Sequence, residues 1–303
     1  MATEEITQRN FKPESLALID QANDIIADYE GQGFRLTLRQ LYYQFVSRDL
    51  IPNTMQSYKR LGSVINDARL AGMIDWEMIE DRTRGVEVRS RWESPRAGIE
   101  AIRNQYHIDM WANQPKRVEV WIEKEALVGV IEGVCNSFDV PYLACRGYVS
   151  QSEQWRAYRR IYDYYRTGQE TVILHFGDHD PSGIDMTRDN IDRLTLFLKS
   201  AMGLYPMDEQ DACTIQRLAL NRDQIDLYKP PPNPAKMTDS RFGGYAAKHG
   251  TKSWELDALE PKVLTELIRK HISAHIDPEK WADRMKQLKD EKAVLEGIIK
   301  GLK

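Results

Sequence analysis

From residue 117 onwards, short apolar runs with the length of β-strands alternate with stretches that have the length and spacing of helices. Residues 117–122, 141–145 and 171–176 are predicted to be strands. The segments between them, 126–138 and 152–166, are predicted to be helices. Strands and helices that alternate at this spacing form βαβ units, in which the strands are parallel. This part of the chain is therefore expected to adopt an α/β fold with a small parallel sheet.

Three acidic residues follow the first and third predicted strands. Glu123 comes directly after the first strand, and Asp178 and Asp180 follow the third in the segment LHFGDHDPSG. Ligands of open parallel sheets bind outside the carboxyl ends of the strands, so the carboxylates meet if these two strands are neighbours. Three hard oxygen ligands suit Mg²⁺, which completes its shell with water and substrate phosphates. The alternative, that the D-x-D pair only forms a turn or a helix cap, stays open.

The N-terminal part of the chain carries a strong helix signal in the segment TLRQLYYQFVSRDL. Thr37 and Gln40 match a capping box, in which each side chain accepts a hydrogen bond from the other residue's backbone N–H. The apolar residues that follow have the spacing of one buried helix face. Tyr42 lies on that face, whereas Tyr43 is turned about 100° away from it. Tyr42 is therefore expected in the core and Tyr43 on the surface.

A Pro-Asn turn follows this helix, and residues 55–71 are predicted to form a second helix. Residues 74–88 are predicted to form a short hairpin. Two helices followed by a small ribbon have the outline of a winged helix. Domains of this outline bind DNA or serve only as protein–protein modules, and the pattern leaves both open.

The chain beyond residue 220 begins with a Pro-rich, loop-like stretch, KPPPNPAK, and then becomes helical. Residues 261–276 and 278–302 are predicted to be helices, the second an amphipathic surface or contact helix. Four charged residues of the segment AKMTDSRFGGYAAKHG either line a DNA groove or belong to a solvated loop. They are Lys236, Asp239, Arg241 and Lys248.

Composition restricts the function classes only loosely. The 303 residues include three cysteines, too few and too widely spaced for a disulfide framework or a Cys-rich zinc site. The sequence has no apolar run long enough for a membrane span and no signal peptide at its start, so a cytoplasmic protein is expected. The net charge of −4 gives no support for a nucleic-acid partner. Residues 35–103 carry 12 Lys/Arg against 9 Asp/Glu, an excess too small to decide the question.

The acidic motifs resemble those of a Toprim domain, whose signature is a Glu after the first strand and a D-x-D after a later one. The segments WIEKEALVGVI and GDHDPSGIDM are similar to the E-K-x-A and D-x-D-P-x-G-I stretches of the topoisomerase VI A subunit and its meiotic double-strand-break relatives. The resemblance covers roughly residues 35–225. CRGYVS departs from the family's G-K-G-containing segment, because Arg146 replaces the lysine and Val149-Ser150 replace Pro-Asp.

This resemblance implies an α/β chain of two parts. Residues 1–112 form an N-terminal helical extension and a winged-helix DNA-binding domain, and residues 113–303 form a Rossmann-like Toprim metal-binding domain with a C-terminal helical extension. The family's nucleophilic tyrosine is the second aromatic of an R-[DE]-[IL]-Y-Y helix, which matches Tyr43 here. Arg39, Lys124 and Arg146 are then candidates for charge stabilisation. In this family the tyrosine and the metal come from opposite subunits, so the resemblance also implies a homodimer. An ATP-dependent step would need a separate ATPase B-type chain.

The resemblance implies a Mg²⁺-dependent type IIB topoisomerase-like transesterase that makes tyrosine-linked double-strand breaks in DNA. Tyr43 would attack a DNA phosphorus, and Mg²⁺ held by Glu123, Asp178 and Asp180 would offset charge on the scissile phosphate. Two alternatives stay open. The first is a Toprim nuclease that uses water in place of the tyrosine, and the second is a DNA-binding module without catalysis.

Overall fold

The computed structural model describes residues 3–80, 89–202 and 212–301. Its centre is a four-stranded sheet in the order β2-β1-β3-β4, and every neighbouring pair of strands is parallel. These strands are β1 (Lys116–Ile122), β2 (Tyr142–Ala144), β3 (Glu170–Phe176) and β4 (Cys213–Ala219). A short antiparallel ribbon consists of β5 (Asn233–Pro234) and β6 (Lys252–Ser253). The expected α/β fold with a small parallel sheet is confirmed.

Helices surround the sheet and also form a separate N-terminal layer. They are α1 (Pro13–Glu30), α2 (Leu38–Ser47), α3 (Met55–Leu70), α4 (Pro95–Gln105), α5 (Val128–Ser137), α6 (Gln151–Arg166), α7 (Pro181–Met202), α8 (Arg222–Tyr228), α9 (Phe242–His249), α10 (Pro261–Ser273) and α11 (Pro278–Gly301). Strand β4 and helix α7 were not predicted from the sequence. The elements that were predicted between residues 116 and 176 agree with the structure to within a few residues.

The sheet is buried on both faces because helices pack against each one. Val120 and Ile122 point into a core that α5 and α10 cover. Trp121 points to the other face, where it packs with residues of α6 and α7. The parallel pairing of β1 and β3 places their carboxyl ends side by side at one edge of the sheet, with Ile122 in register with Phe176.

The N-terminal helices α1, α2 and α3 share a core of their own. The capping box that starts α2 is confirmed, because Thr37 Oγ1 accepts from the Gln40 N–H at 3.2 Å and Gln40 Oε1 accepts from the Thr37 N–H at 2.9 Å. Tyr42 lies in this core, as predicted. The surface position predicted for Tyr43 is wrong, because its side chain is buried and only 4% exposed. A helical wheel assumes one buried face, whereas α2 also packs against the 3₁₀ turn Leu256–Ala258.

Residues 74–80, the described part of the predicted hairpin at 74–88, contain no strand. Residues 81–88 lie outside the described part of the chain. Within 74–80, Ile79 makes only an isolated bridge, to Leu36. The three helices are therefore established, and the ribbon that would complete a winged helix stays a prediction. No helix in the described ranges combines the length and the apolar character needed to cross a membrane.

A buried histidine on β3 makes the stability of this fold sensitive to acid. His175 is 1% exposed, and Nδ1 lies 2.9 Å from the Thr187 hydroxyl. Burial, reinforced by Arg217, lowers the pKa of His175 from 6.5 to about 3. The unfolded chain therefore binds this proton first as the pH falls. The contribution of neutral His175 is complete above pH 6.5 and is lost as the pH falls toward 3.

We predict that His175→Gln flattens the acid limb of the stability profile. The wild-type free energy of unfolding should fall by up to about 1.4 kcal/mol per pH unit from this group between its two pKa values. Urea unfolding at a series of pH values measures that slope. His107→Gln, at an exposed histidine, is the matched control and should keep the wild-type slope. Equal slopes for His175→Gln and the wild type would contradict the assignment.

Candidate functional site

The acidic residues predicted to meet do lie at one edge of the sheet. The Glu123 N–H donates to the Phe176 carbonyl at 2.8 Å, which extends the pairing of β1 and β3 by one residue. The Asp178 N–H donates to Glu123 Oε2, also at 2.8 Å. Both carboxylates are largely buried, with 9% and 7% exposure. Two residues separated by 55 positions are thus joined directly, because their strands are parallel neighbours.

The third acidic residue, Asp180, has a structural role at the start of α7. Its Oδ1 accepts from the Gly183 N–H at 2.6 Å and from the Ser182 hydroxyl at 2.9 Å. Asp180 therefore caps the helix, as the alternative interpretation of the D-x-D pair expected. Asp180 also lines the same cleft as Asp178, so a cap and a site residue are combined in one side chain.

A lysine lies among the carboxylates of this edge. Lys124 Nζ lies 3.0 Å from Asp178 Oδ2, 3.2 Å from Asp257 Oδ1 and 2.5 Å from Glu255 Oε2. Its side chain is 18% exposed, and the side chain of Asp257 is fully buried. Burial works against the charge of Lys124, but the carboxylates outweigh it and raise its pKa. Lys124 is therefore an ammonium ion shared by three carboxylates.

The same carboxylates hold Arg39 from helix α2. Its Nε donates to Asp257 Oδ2 at 2.8 Å, and its Nη2 pairs with Glu255. Arg39 and Asp257 are 218 positions apart, so this contact joins the helical layer to the sheet edge. Sequence analysis selected Arg39 and Lys124 but missed Glu255 and Asp257. Their segment, WELDALE, carries no motif that distinguishes it from an ordinary loop.

Arg217, on β4, is a further site residue that sequence analysis missed. It donates to the carbonyls of Gly177 at 3.0 Å, Asp178 at 2.7 Å and Gly183 at 2.9 Å. Burial lowers the pKa of Arg217 to about 10, which leaves it charged near neutral pH. The guanidinium fixes the backbone of the loop that carries Asp178 and Asp180. An arginine in an unpredicted edge strand gave no signal in the sequence.

The charges at this edge do not balance. Burial raises the pKa of Asp178, and burial also raises the pKa of Glu123. There are five carboxylates against three cations, which leaves two negative charges when all are ionised. The carboxylates are those of Glu123, Asp178, Asp180, Glu255 and Asp257, and the cations are Arg39, Lys124 and Arg217. One divalent cation would remove the excess, so the donor set fits Mg²⁺ in charge and in ligand type.

The positions of these carboxylates match a Mg²⁺ site only in part. Across residues 3–80, 89–202 and 212–301, no group of three or more His, Cys, Asp or Glu side chains is arranged to hold a metal ion. The two oxygens of Asp178 show why, because Oδ1 accepts from the Leu256 N–H at 2.8 Å and Oδ2 faces Lys124. A divalent cation at Asp178 would therefore share these oxygens with the Leu256 N–H and with Lys124.

Tyr43 lies in the same cleft as these charged groups. The cleft has a volume of about 490 Å³, and its lining includes Arg39, Tyr43, Lys124, Asp178 and Asp180. Arg39 Nη2 donates to Tyr43 Oη at 3.4 Å. Burial raises the pKa of Tyr43, so the phenol is protonated at neutral pH. All of these residues belong to one chain, whereas the resemblance implies that tyrosine and metal come from opposite subunits.

Other candidates from the sequence lie in different surroundings. Arg146 pairs with Glu125 and does not line the cleft. Lys236 does line it and is exposed. Arg241 pairs with Asp239 at 2.8 Å and with Asp185 at 3.3 Å, so its charge is already compensated within the chain.

No model of a known protein family matches this chain, and comparison with curated proteins also finds no similar sequence. Function must therefore be inferred from the chemistry of the cleft.

A close backbone contact at Gly183 fixes the shape of the acidic loop. A Cβ atom added at Gly183 would lie 2.2 Å from the Asp178 carbonyl oxygen, far inside van der Waals contact. Only glycine allows the first turn of α7 to approach the loop this closely.

We predict that Gly183→Ala destabilises the protein by roughly 1–3 kcal/mol, because the Asp178 backbone must move. Urea unfolding monitored by circular dichroism measures the change. Gly133→Ala is the control, since Gly133 is exposed on α5 and an added Cβ would meet nothing within 4 Å. That substitution should stabilise by up to about 1 kcal/mol through helix propensity. Similar effects of the two substitutions would refute the close contact as the cause.

Proposed function

We propose that this protein is a compact Mg²⁺-dependent DNA transesterase, similar to the topoisomerase VI A subunit, in which Tyr43 forms a covalent link to DNA. The observation that carries the proposal is the single cleft that Tyr43, Arg39, Lys124, Asp178 and Asp180 line together. The parallel sheet is compatible with a Toprim domain. Helices α1–α3 are compatible with the helical part of a winged helix, which would hold double-stranded DNA against the cleft.

In this proposal Tyr43 Oη forms a bond to a DNA phosphorus, and the bond from phosphorus to O3′ breaks. The phenolic proton passes to solvent, and O3′ takes up a proton, so a free 3′-hydroxyl and a phosphotyrosine result. Arg39 donates to Tyr43 Oη at 3.4 Å, which would stabilise negative charge as the proton departs. Religation is the reverse of the same step and needs no added energy source.

Glu123, Asp178 and Asp180 would hold the metal ion. When bound, Mg²⁺ supplies positive charge beside the scissile phosphate and the leaving oxygen. Glu123 and Asp178 are suited to this role because both are largely buried and, when ionised, leave a negative charge excess that the surrounding cations do not balance. Lys124 supplies further positive charge in the same cleft. An ATP-dependent strand-passage cycle would need a separate ATPase chain.

A second candidate function is favoured by the burial of Tyr43. The side chain is 4% exposed, and burial raises its pKa, so its conversion to a phenolate is more costly than usual. A nuclease in which water replaces the tyrosine as nucleophile avoids that cost, and Asp178 and Asp180 would hold the metal ion there as well. The same cleft serves both reactions, and the two differ only in the nucleophile.

We predict that Tyr43→Phe abolishes protein-linked DNA ends, because the substitution removes the attacking oxygen and keeps the ring. Supercoiled plasmid is incubated with the protein and Mg²⁺, quenched with detergent and analysed with and without protease. Tyr29→Phe, at another buried tyrosine of the helical core, is the control and should retain the adducts. Free ends that survive Tyr43→Phe but not Asp178→Asn would support the nuclease. If none of the proteins cleaves the plasmid, the remaining interpretation is a DNA-binding module without catalysis.

The subunit origin of the site gives a separate prediction. If Tyr43 and Asp178 act within one chain, a mixture of Tyr43→Phe and Asp178→Asn proteins contains no complete site and should form no adducts. If they act across a homodimer interface, mixed dimers contain one complete site and should recover part of the activity. Refolding the two variants together before the plasmid assay separates these outcomes. Recovery of adducts would overturn the arrangement within one chain and support a dimer.

A further inference from the structure

Lys124 lies against one oxygen of a carboxylate that would bind the divalent cation. Its ammonium group is 3.0 Å from Asp178 Oδ2, the one oxygen of this carboxylate that accepts no backbone hydrogen bond. The other oxygen, Oδ1, is held by the Leu256 N–H at 2.8 Å. A cation that binds Asp178 through Oδ2 therefore meets the ammonium group of Lys124.

Lys124 has a second set of partners that it keeps if it leaves Asp178. Glu255 Oε2 lies 2.5 Å and Asp257 Oδ1 lies 3.2 Å from Nζ. These two carboxylates also bind Arg39, so together the four side chains form a set with balanced charge. Departure from Asp178 thus leaves Lys124 paired and not exposed as an isolated buried charge.

The remaining side chains of this edge are not balanced in charge. When ionised, Glu123, Asp178 and Asp180 carry three negative charges, and Arg217, which binds the backbone of the Asp178 loop, compensates one of them. Two negative charges are then left beside the oxygen that Lys124 vacates. This amount is what one divalent cation supplies.

We propose that Lys124 is a built-in competitor of the metal ion, an internal counter-ion that keeps Asp178 paired until a divalent cation displaces it toward Glu255 and Asp257. This inference rests on the proposed metal site and adds its regulation. Binding of the cation is then coupled to the contact between the sheet edge and helix α2, because Lys124 and Arg39 share the same two carboxylates.

The test is the affinity of the protein for Mn²⁺ alone, measured without DNA by the electron paramagnetic resonance signal of free Mn²⁺. Lys124→Met and Lys124→Gln should bind Mn²⁺ more tightly than the wild type, by about fivefold or more, because the competing ammonium is gone. Lys236→Met removes a lysine of the same cleft that has no carboxylate partner among the described residues, and should leave the affinity unchanged. Asp178→Asn should abolish the binding.

Each result decides between the two proposals. Equal or weaker binding by the Lys124 variants, with binding still lost in Asp178→Asn, overturns the competitor role and keeps the metal site. Binding that Asp178→Asn does not change, or binding by none of the proteins, overturns the metal site and the competitor role together. Lys124→Arg keeps a positive charge at this position and serves if the neutral variants fail to fold. It should bind Mn²⁺ no more tightly than the wild type, and tighter binding by Lys124→Arg would overturn the competitor role.

Discussion

The structure depends on a buried group of ion pairs that joins helix α2 to the edge of the sheet. Asp257 is fully buried between Arg39 and Lys124, and Lys124 continues the contacts to Asp178. Removing such charges from water is costly, and the cost is recovered only if every charge keeps a partner in good geometry. The positions of the helical layer, the cleft and the acidic loop are therefore fixed together. A change at any one charge leaves its buried partners uncompensated.

This arrangement accounts for two features of the cleft. Tyr43 is buried because α2 is held on a second side by the 3₁₀ turn Leu256–Ala258, and it is beside the carboxylates because Arg39 binds that same turn. The proposed nucleophile and the proposed metal ligands are thus neighbours within one chain. Burial is also the feature that makes the phenol harder to ionise, so the contact that brings Tyr43 to the site opposes its activation.

Much of the fold could be predicted because its signals are local. Apolar runs with the length of strands and the capping box at Thr37 depend on residues close in sequence, and they agree with β1, β2, β3 and α2. Strand β4 could not be predicted, since its half-buried sequence CTIQRLA shows no strong alternation. The surface position of Tyr43 was predicted wrongly, because a periodicity records one buried face and not a second contact made by a distant loop.

The sequence by itself determined the alternation of strands and helices, and with it that Glu123 and the Asp178 loop follow strands able to lie side by side. Because β1 and β3 pair in parallel, the backbone brings Glu123 and the Asp178 loop into contact. Only the tertiary structure decided which cations and carboxylates join them. Glu255, Asp257 and Arg217 reach the site through contacts between residues far apart in the chain, and no spacing in the sequence records such contacts. Electrostatic pairing acts through distance in space, whereas sequence patterns report only neighbours along the chain.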